Sequence, residues 1–505
     1  MKKLIIIFIV MLICNLLIAQ NKRDYIWLFG STKRIGLPGA EGNIIDFNKQ
    51  GRIDTLVLGS PFYDNISMIS DEEGRLLFYT NGCRVISWDH QFMENGDSIN
   101  YGETWDKYCR TNVQGYPGNQ NSIILPDPGN KDGYYLVHKR YELIFEPIIQ
   151  AYIPELYHSY IDMSLNGGKG RVMRKNVPVF LTENIPVGYL SACKHFNKRD
   201  WWLIEHKKET NLHYIILLNS DTIALVDSIS IGPILNIKSG LGQAVFTPDG
   251  SKYLVFTQNN GAYIYDFDRS TGRLSNVRQV VVQDCGSFQG ISVSPNSRYA
   301  YLSTLLDLYQ IDLWADDIQS TLTHIDHIDG FTDPSILSYF NHAQLGPDCK
   351  IYIVSGSTNN YLHVINKPDE QGKACDFKQH SIYLPNRNYN NCIPNFPHFR
   401  IDEEEICDPQ ITSIFGEAIF YRRDLEIFPN PSSGLITIQK PEDGSGRIMV
   451  MDMQGTLLET HPASREDDTT TLDLSHLPPG TYLIEYYPDL QKDRIFYSAK
   501  VVVAR

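Results

Sequence analysis

The sequence lacks an excess of positive charge. Its 505 residues include 45 Lys and Arg against 59 Asp and Glu, which gives a formal net charge of −14. Proteins that bind nucleic acids derive much of their affinity from basic side chains that neutralise phosphates. No such basic region is present, so we expect no nucleic-acid partner. The acidic balance also disfavours binding to anionic membrane surfaces.

Recognisable catalytic and cofactor motifs are also missing. The sequence contains no G-x-S-x-G nucleophile motif, no H-E-x-x-H zinc motif, no Walker loop and no EF-hand loop. Nor does it contain a C-x-x-C pair of the kind found in zinc ribbons and redox proteins. We therefore predict no cofactor, and an enzyme is the less favoured class. Among 59 acidic residues, the sequence singles out no pair of carboxylates for a glycosidase.

Long apolar runs are absent except at the N-terminus. There, Lys2 and Lys3 precede the run Leu4–Ala19, which is interrupted by Asn15. A positive start, a short apolar centre and a small residue at its end are typical of a cleaved signal peptide, here residues 1–20. The alternative is a membrane anchor, but a spanning helix needs about 20 apolar residues. The mature chain is therefore expected to be exported and to have no transmembrane segment.

Removal of this signal takes away one cysteine and leaves eight. An even number in an exported chain permits disulfide bonds, although the wide spacing fixes no connectivity. Buried free thiols are the alternative for some of them. The eight are Cys83, Cys109, Cys193, Cys285, Cys349, Cys375, Cys392 and Cys407.

What the sequence does contain is an internal repeat between residues 244 and 384. Three segments align: AVFTPDGSKYLVFT, ISVSPNSRYAYLST and AQLGPDCKIYIVSG. Each has an apolar strand, a turn that begins at Pro248, Pro295 or Pro347, one basic residue and a second strand. The prolines lie 47 and 52 residues apart. A late polar residue follows each proline by 17 to 19 positions: Asp266, Asp312 and Asn366.

Weaker copies of the same pattern bring the number of countable units to six. They lie at Ile69–His90, Ile124–Gly170 and Phe196–Asp221. A period near 50 residues with about four strands per unit is the signature of a β-propeller, whose blades bury their faces against one another. Strands within residues 24–48 and at Asn395–Asp402 suit a further blade closed by both ends of the domain. We therefore predict an all-β fold with a seven-bladed propeller at residues 21–402, with six blades as the alternative.

Several segments of this region also match one family pattern. They are Trp27–Gly30, Ile44–Asn48, Ile69–Gly82, Ile124–Gly129, Ile161–Gly170 and Ile393–Arg400. Through these segments, residues 24–402 resemble a family of exported bacterial seven-bladed propellers with WD-repeat-like blades. The resemblance implies a fold and no agreed reaction, so no catalytic residue follows from it.

The end of the chain differs in character from the repeat. After an acidic linker predicted at residues 403–423, residues 424–505 show strand pairs separated by turns such as PNPSSG and PPG. Alternating apolar residues over about 80 positions predict a small β-sandwich.

The order of motifs in this tail is more specific than any one of them. The matching positions are Pro429, Asn430, Pro431, Gly434, Gly455, Leu477, Pro478, Gly480 and Tyr482, followed by the closing stretch KVVVAR. Together they resemble the type A C-terminal sorting domain of the type IX secretion system of Gram-negative bacteria. The resemblance implies that the type IX machinery recognises residues 424–505, exports the chain from the periplasm and removes the tail, which leaves the protein secreted or at the cell surface. The alternative is an ordinary accessory β-sandwich.

The stretch THIDHIDG offers candidate metal ligands. Alternate residues share a face of a strand, so His324 pairs with Asp326 and His327 with Asp329. Either pair together with His342 has the ligand types that bind transition metals. The competing interpretation is a polar outer strand of a blade, and we predict no metal site.

Two loops between blades are the predicted binding surfaces. The first, Gly102–Gly118, is rich in Trp, Tyr and Gly, and its candidate ligand-binding residues are Trp105, Tyr108 and Tyr116. The second is the insertion Tyr141–Tyr157. Binding residues concentrate on loops that a rigid scaffold carries, although tryptophans of a propeller also fill gaps between blades.

These observations together predict a secreted or cell-surface propeller that binds a glycan or a protein. The hypothesis depends on the blade repeat and on the absence of catalytic motifs, since propellers as a class serve many functions. One alternative is a secreted lyase or hydrolase that acts on polysaccharides through residues of the central channel. Another is a structural component of the cell surface.

Overall fold

The computed structural model gives an all-β chain that forms two compact units, Met1–Ser413 and Ile414–Arg505. The predicted signal peptide lies outside the described residues. The structure describes residues 21–30, 40–111, 115–144, 150–235, 242–258, 261–283, 288–332, 336–356, 359–388, 393–403, 405–408, 411, 421–440, 446–453, 457–464, 468–488 and 495–504.

Seven antiparallel sheets follow one another in the described part of the first unit, which confirms the seven-bladed propeller. Sheets 1 and 2 have three strands each: β1 (Ile26–Gly30), β2 (Ala40–Asp46) and β3 (Arg52–Leu58), then β4 (Ser67–Ser70), β5 (Leu76–Thr80) and β6 (Val85–Ser87). Sheet 3 contains β7 (Ser122–Pro126), β8 (Gly133–Lys139), β10 (Gln150–Asp162) and β11 (Arg171–Ile185), with β9 (Glu142–Ile144) paired to β10.

The remaining four sheets have four strands each, in chain order. Sheet 4 is β12 (Ser191–Lys194), β13 (Trp201–His206), β14 (Leu212–Leu218) and β15 (Ile223–Ser230). Sheet 5 is β16 (Gln243–Phe246), β17 (Lys252–Thr257), β18 (Gly261–Asp268) and β19 (Arg273–Val280). Sheet 6 is β20 (Gly290–Val293), β21 (Tyr299–Ser303), β22 (Asp307–Asp312) and β23 (Thr323–His327), and sheet 7 is β24 (Ala343–Leu345), β25 (Ile351–Val354), β26 (Asn359–Ile365) and β27 (Phe377–Asn388). Short helical segments join some strands: Phe47–Lys49, Glu103–Trp105, Asp106–Thr111, Asn166–Gly168, Gln319–Thr321 and Gly372–Cys375.

Contacts within sheets 5 and 6 explain the residues that recur in the repeat. The Asp249 carboxylate accepts a hydrogen bond at 2.9 Å from the amide two residues on, which fixes the turn between the first two strands. The basic residue of the repeat then forms an ion pair with the late polar residue of the same unit, which is an aspartate in both sheets. Lys252 lies 2.8 Å from Asp266, and Arg298 lies 2.8 Å from Asp312. The repeat is therefore a pattern of turn and cross-strand contacts.

The first strands of the sheets surround a central channel. Strand β1 contacts β4, β4 contacts β7, and the series continues from β12 through β16 and β20 to β24. Two glutamines tie alternate sheets together. The Gln120 side chain bonds to both the amide and the carbonyl of Ala244, at 3.0 and 2.9 Å. Gln243 does the same with Ala343, at 3.0 and 2.7 Å, so sheet 3 is joined to sheet 5 and sheet 5 to sheet 7.

The predicted closing strand Asn395–Asp402 is not part of a blade, so the prediction that both chain ends complete one blade is wrong. Among the described strands, sheet 1 consists of β1 to β3 and sheet 7 of β24 to β27. Residues Asn395–Arg400, here called the channel segment, lie inside the ring. Asn395 donates to the backbone oxygens of Ser122 and Leu190, both at 2.9 Å. A strand bonds to a neighbour along its length, whereas this segment bonds to several sheets in turn.

Beyond the channel, two contacts join sheets 1 and 7, and we call them the clamp. Arg400 and Asp24 form a buried ion pair with N–O distances of 2.5 and 2.8 Å. The disulfide between Cys349 and Cys407 joins the segment that leaves the channel to the first turn of sheet 7. The ring is therefore closed by side chains and a covalent bond, without exchange of a strand between the first and last blades.

The other cysteines are divided between a second disulfide and free thiols. Cys83 is bonded to Cys109. Cys193 and Cys375 are buried and free, and burial raises the pKa of the Cys193 thiol to about 12. The remaining two, Cys285 and Cys392, lie outside the described residues.

The second unit contains two sheets where a small β-sandwich was predicted. The five-stranded sheet has the order β28 (Tyr421–Asp424), β35 (Ile495–Val503), β34 (Gly480–Pro488), β31 (Gly446–Met451) and β32 (Leu457–Ala463). The three-stranded sheet is β29 (Glu426–Phe428), β30 (Leu435–Gln439) and β33 (Thr469–Asp473). Alternate residues of both sheets are buried, including Ile436, Ile438, Ile448, Val450, Ile484 and Val501.

Candidate functional site

The central channel of the propeller is filled by the chain itself. Gln120 donates to the side-chain oxygen of Asn395 at 3.3 Å. The His398 ring bonds to a backbone oxygen of β16 at 3.1 Å, and burial lowers its pKa to about 4, so it is neutral. Lys194 donates to the backbone oxygen of Phe399 at 2.8 Å.

Little space remains beside the channel segment. Among the described residues, the cavity on the channel axis has a volume of about 10 Å³, which is enough for roughly one water molecule. A larger ligand would have to displace Asn395 and its neighbours from their backbone partners. The described part of the channel is therefore packed around the channel segment.

The two loops that were predicted as separate binding surfaces lie against each other. The Cys83–Cys109 disulfide fixes the first loop, and the Trp105 indole donates to the backbone oxygen of Cys83 at 3.0 Å. The second loop begins at Tyr141. Its amide donates to the Tyr116 hydroxyl at 2.9 Å, and its carbonyl accepts from that hydroxyl at 3.0 Å. Sheets 2 and 3 therefore contribute to one surface.

The three predicted ligand-binding residues occupy different depths in this surface. Trp105 and Tyr116 are only 8% and 0% exposed, and burial raises the pKa of Tyr116 above its ordinary value. Both side chains are therefore buried among the loops and stabilise them. Tyr108 is partly exposed, so it is the most accessible of the three.

Two further tyrosines lie beside Tyr108. The ring of Tyr63 is 6.4 Å from the ring of Tyr108, with 27° between their planes. Tyr141 is also partly exposed; burial raises its pKa to about 12, and its neighbours Tyr108, Asp64 and Tyr63 add to the effect. We call Tyr63, Tyr108 and Tyr141 the tyrosine surface. Tyrosines of this kind, with one polar end and an apolar ring, are frequent at recognition sites.

Two charged residues, Arg140 and Glu142, flank Tyr141 in the chain. The Arg140 guanidinium lies 3.1 Å from the Glu142 carboxylate and 3.4 Å from that of Glu155. Burial raises the pKa of Glu142, Arg140 opposes the shift, and the charges of Glu103 and Glu155 add to it. A carboxyl with a raised pKa beside a second carboxylate is an arrangement that also occurs in acid–base catalysis.

Tyr63 was not predicted from the sequence. It lies in the connection between β3 and β4, where no repeat or motif marks it. The one available signal was the pair Tyr63-Asp64 within the connection, next to apolar Phe62, which is buried. Such a pair occurs in many loops, so its significance depends on its neighbours in space.

The candidate metal ligands do not form a site. His324 Nε2 and His327 Nδ1 each lie 2.8 Å from Asp307 Oδ1 on the outside of sheet 6, whereas His342 is buried just before β24. Searching the described ranges gives no group of three or more His, Cys, Asp and Glu side chains placed to hold a metal ion. Strand β23 is a polar outer strand of its blade.

The turn PNPSSG is held by the last strand of the chain. The Asn430 side chain donates to the backbone oxygen of Lys500 at 2.7 Å and accepts from the Val502 amide at 2.9 Å. Gly434 has a φ of +128°, and a Cβ atom there would lie 2.5 Å from the Cα atom of Ser475. Glycine is required because any side chain would collide with this backbone.

A second predicted motif of the tail also stabilises a turn. The Tyr482 hydroxyl donates to the backbone oxygen of Pro478 at 2.6 Å, and Gly480 begins β34 between them. Gly455, the other glycine of the predicted motif, lies outside the described residues. The tail motifs therefore specify turns of a compact unit, and their regular order reflects its topology.

Comparison with known families decides the nature of this unit. Residues 426–503 match the family described as the secretion system C-terminal sorting domain. The tail is a secretion sorting domain. It implies interaction with the type IX secretion machinery and export to the cell surface or beyond. In the part of the chain that the structure describes, no helix is long and apolar enough to cross a membrane.

Solved structures similar to the chain include two propellers. The β-propeller domain of Cps50 (Swd1) from Myceliophteria thermophila has 13% identity and a TM-score of 0.35, covering 63% of this chain and 88% of that one. The Dos1 propeller has 10% identity and a TM-score of 0.37, covering 63% and 71%. A functionally unknown protein from Desulfotomaculum acetoxidans has 14% identity and a TM-score of 0.39, covering 74% and 99%. No curated protein sequence matches the chain, and these similarities transfer no activity or ligand to it.

Proposed function

We propose that this protein, after removal of residues 1–20, passes through the periplasm and is exported as a binding module for a glycan or a protein. The sorting domain supports export. The proposed division is a propeller at 21–402, a linker at 403–423 and the sorting domain at 424–505. The tyrosine surface is the proposed binding site, because the channel is occupied by the chain.

The observation that supports the proposal is the partly exposed position of three neighbouring tyrosines on loops that buried residues hold in place. The Cys83–Cys109 disulfide and the buried Trp105 and Tyr116 hold their loops before any ligand arrives. A surface ordered in advance loses little conformational freedom on binding. Tyrosine side chains add large contact area at a low entropic cost. A rigid aromatic surface beside charged groups is suited to recognition.

Binding should be tested with the full-length protein on arrays of glycans and of surface proteins. We expect at least one saturable ligand, and we expect Tyr108→Ser to weaken it roughly tenfold, equivalent to about 1.4 kcal/mol. The matched control is Trp314→Ser, which removes an aromatic ring that is 62% exposed on sheet 6. An array without any saturable ligand, or equal losses for the two variants, would contradict the proposal.

Export should be tested in the producing bacterium by fractionation. We expect the full-length chain on the surface or in the medium, and a chain without residues 424–505 to stay inside the cell envelope. Gly434→Val should act like the deletion, because its side chain would collide with Ser475. Met453→Ala changes a tail residue that is 47% exposed and should leave export intact. Export of the truncated chain would refute the role of the tail.

A polysaccharide-acting enzyme is the second candidate, favoured by one observation. The Glu142 carboxyl has a raised pKa and shares the Arg140 guanidinium with Glu155. Glycoside hydrolysis requires two carboxyl groups, one of which carries a proton that it donates to the leaving group. Release of reducing sugar from any glycan that binds, abolished by Glu142→Gln, would establish this activity. Binding without release would exclude it for that glycan.

A further inference from the structure

Four buried side chains at the interface of sheets 4 and 5 each have a polar atom without a hydrogen-bond partner among the described residues. These atoms are Nε2 of His206, Nε2 of His213 and the hydroxyl oxygens of Tyr253 and Tyr265. All four side chains are at most 1% exposed. Buried polar groups in folded proteins nearly always have a partner, either in the protein or in ordered water. We infer that a row of buried water molecules lies in this interface and bonds to the four side chains.

The four side chains form two cross-strand pairs that meet between the sheets. His206 lies opposite His213 on β13 and β14, with 6.1 Å between the ring centres. Tyr253 lies opposite Tyr265 on β17 and β18, also with 6.1 Å between the ring centres. The rings of His213 and Tyr265 lie 5.1 Å apart across the two sheets. The unpaired atoms therefore belong to one continuous group of neighbouring rings.

Backbone contacts hold the two central rings in place. His213 Nδ1 lies 3.2 Å from the backbone oxygen of Asn211. That oxygen can only accept, and burial lowers the pKa of His213 to about 4, so the neutral ring carries its proton on Nδ1 and Nε2 is an acceptor. The Asn211 side chain donates to the backbone oxygen of Gly232 at 3.0 Å. A Cβ atom at Gly232 would lie 3.6 Å from the Tyr265 hydroxyl oxygen, so the same contact borders both rings.

The charges beside the group favour a neutral occupant. Burial lowers the pKa of His206 well below its ordinary value, and nearby His213 and Lys139 lower it further, so a cation would be repelled. Burial raises the pKa of Tyr253 well above its ordinary value, and the charge of Glu205 adds to the shift, so an anion would be opposed as well. Water is neutral, donates to imidazole nitrogens and both accepts from and donates to phenol hydroxyls. It therefore suits all four side chains.

A high-resolution crystal structure of the full-length protein tests the inference directly. We expect electron density for at least one water molecule that lies within about 2.6–3.2 Å of both His213 Nε2 and the Tyr265 hydroxyl oxygen. An ion in its place, water that contacts one sheet only, or no density between the rings would overturn the inference. The test involves no ligand of the tyrosine surface, so its result is independent of the proposed function.

Removal of the Tyr265 hydroxyl gives a second test, because the sign of the effect depends on water. If water bonds to the hydroxyl, Tyr265→Phe loses that hydrogen bond, and the equilibrium constant for unfolding in urea should rise roughly three- to tenfold. A buried hydroxyl without any partner is instead unfavourable, so its removal would leave stability unchanged or increase it. Unchanged or greater stability of Tyr265→Phe would therefore overturn the inference.

Tyr301→Phe is the matched control in sheet 6. Tyr301 is also 1% exposed, but its hydroxyl has partners in the protein. It donates to the backbone oxygen of Pro368 at 2.9 Å and accepts from Gln310 Nε2 at 2.8 Å. This variant should be less stable whatever fills the interface of sheets 4 and 5, and it shows the size of effect that one lost hydroxyl produces in the same assay.

Discussion

The central channel and the tyrosine surface are both lined by aromatic and polar side chains, but they use them differently. In the channel, Asn395 and His398 bond to backbone oxygens of the blades, and the ring of Phe399 packs 5.9 Å from that of Trp201. At the tyrosine surface, the buried groups hold the loops while three rings stay partly exposed. Polar groups that already have partners inside the fold have little left to offer a ligand.

The comparison shows which described region has its polar groups already paired inside the fold and which region the proposed function assigns to binding. The channel segment and the Arg400–Asp24 pair close the ring from its centre, and they take the place of an exchanged strand. The proposed function assigns recognition to the two loops of the tyrosine surface, the first of which is held by the Cys83–Cys109 disulfide. The channel should therefore govern stability and the tyrosine surface should govern affinity, and the following variants test that separation.

The largest effect is expected at the channel exit. Arg400→Ala leaves the carboxylate of Asp24 buried without its partner, and breaking a buried pair in this way costs about 3–5 kcal/mol. Urea unfolding of the full-length protein measures the loss. Arg199→Ala removes an exposed partner of Asp200 and should cost no more than about 1 kcal/mol. Similar losses for the two variants would mean that the exit pair does not close the ring.

The second largest effect on stability is expected at the Cys349–Cys407 disulfide, which belongs to the same clamp. Cys407→Ser frees a loop in which the bonded residues are 58 positions apart, and loss of such a bond costs about 2–4 kcal/mol. Thermal unfolding with and without a reductant gives the measurement. The reductant should lower the Tm of the wild type more than that of Cys407→Ser, which has lost one of the two disulfides found among the described residues. An equal shift in both proteins would contradict this assignment.

The blades could be predicted from the sequence because their signals are local. The turn at Asp249 and the Lys252–Asp266 pair of sheet 5 recur in sheet 6 as the turn at Asn296 and the Arg298–Asp312 pair. The channel segment could not be predicted in the same way. Asn395 lies 273 residues from Ser122 and 205 from Leu190, and the alternating apolar residues around it fit a strand equally well. Long-range backbone partners leave no periodic trace in a sequence.

The position of the loops at the proposed binding site could be predicted in part, whereas their role in binding stays a prediction. Both loops were identified by their composition and position, since aromatic residues in long connections are readily seen. Their contact through Tyr116 and Tyr141 depends on the packing of sheets 2 and 3, and so does the inward orientation of Trp105. The position of Tyr63 at the tyrosine surface becomes apparent only from the ring of Tyr108 beside it.

A smaller effect, dependent on pH, is expected beside the clamp. Burial raises the pKa of Asp348 from 3.8 to about 6, so the folded state binds this proton more tightly than the unfolded chain. Its ionisation therefore costs stability that grows as the pH rises from about 4 to 6 and is complete at neutral pH. Asp348→Asn removes the charge and keeps an oxygen for the Tyr352 hydroxyl, which donates at 2.8 Å.

The expected gain in the free energy of unfolding is about 1–3 kcal/mol at pH 7.5 and close to zero at pH 4. Urea unfolding at the two pH values measures it. A gain of the same size at both, or a loss at pH 7.5, would show that the carboxylate is not destabilising when ionised.

The most direct test of the central claim compares one variant from each region with the same ligand. The ligand is the one found on the arrays, and the variants are Tyr63→Leu with Tyr108→Leu at the surface, and Asn395→Ala in the channel. We predict that the surface variant loses at least about tenfold in Kd with little change in stability. The channel variant should lose about 1–3 kcal/mol of stability and keep its affinity within roughly twofold. Loss of affinity in the channel variant, with the surface variant unaffected, would contradict the account.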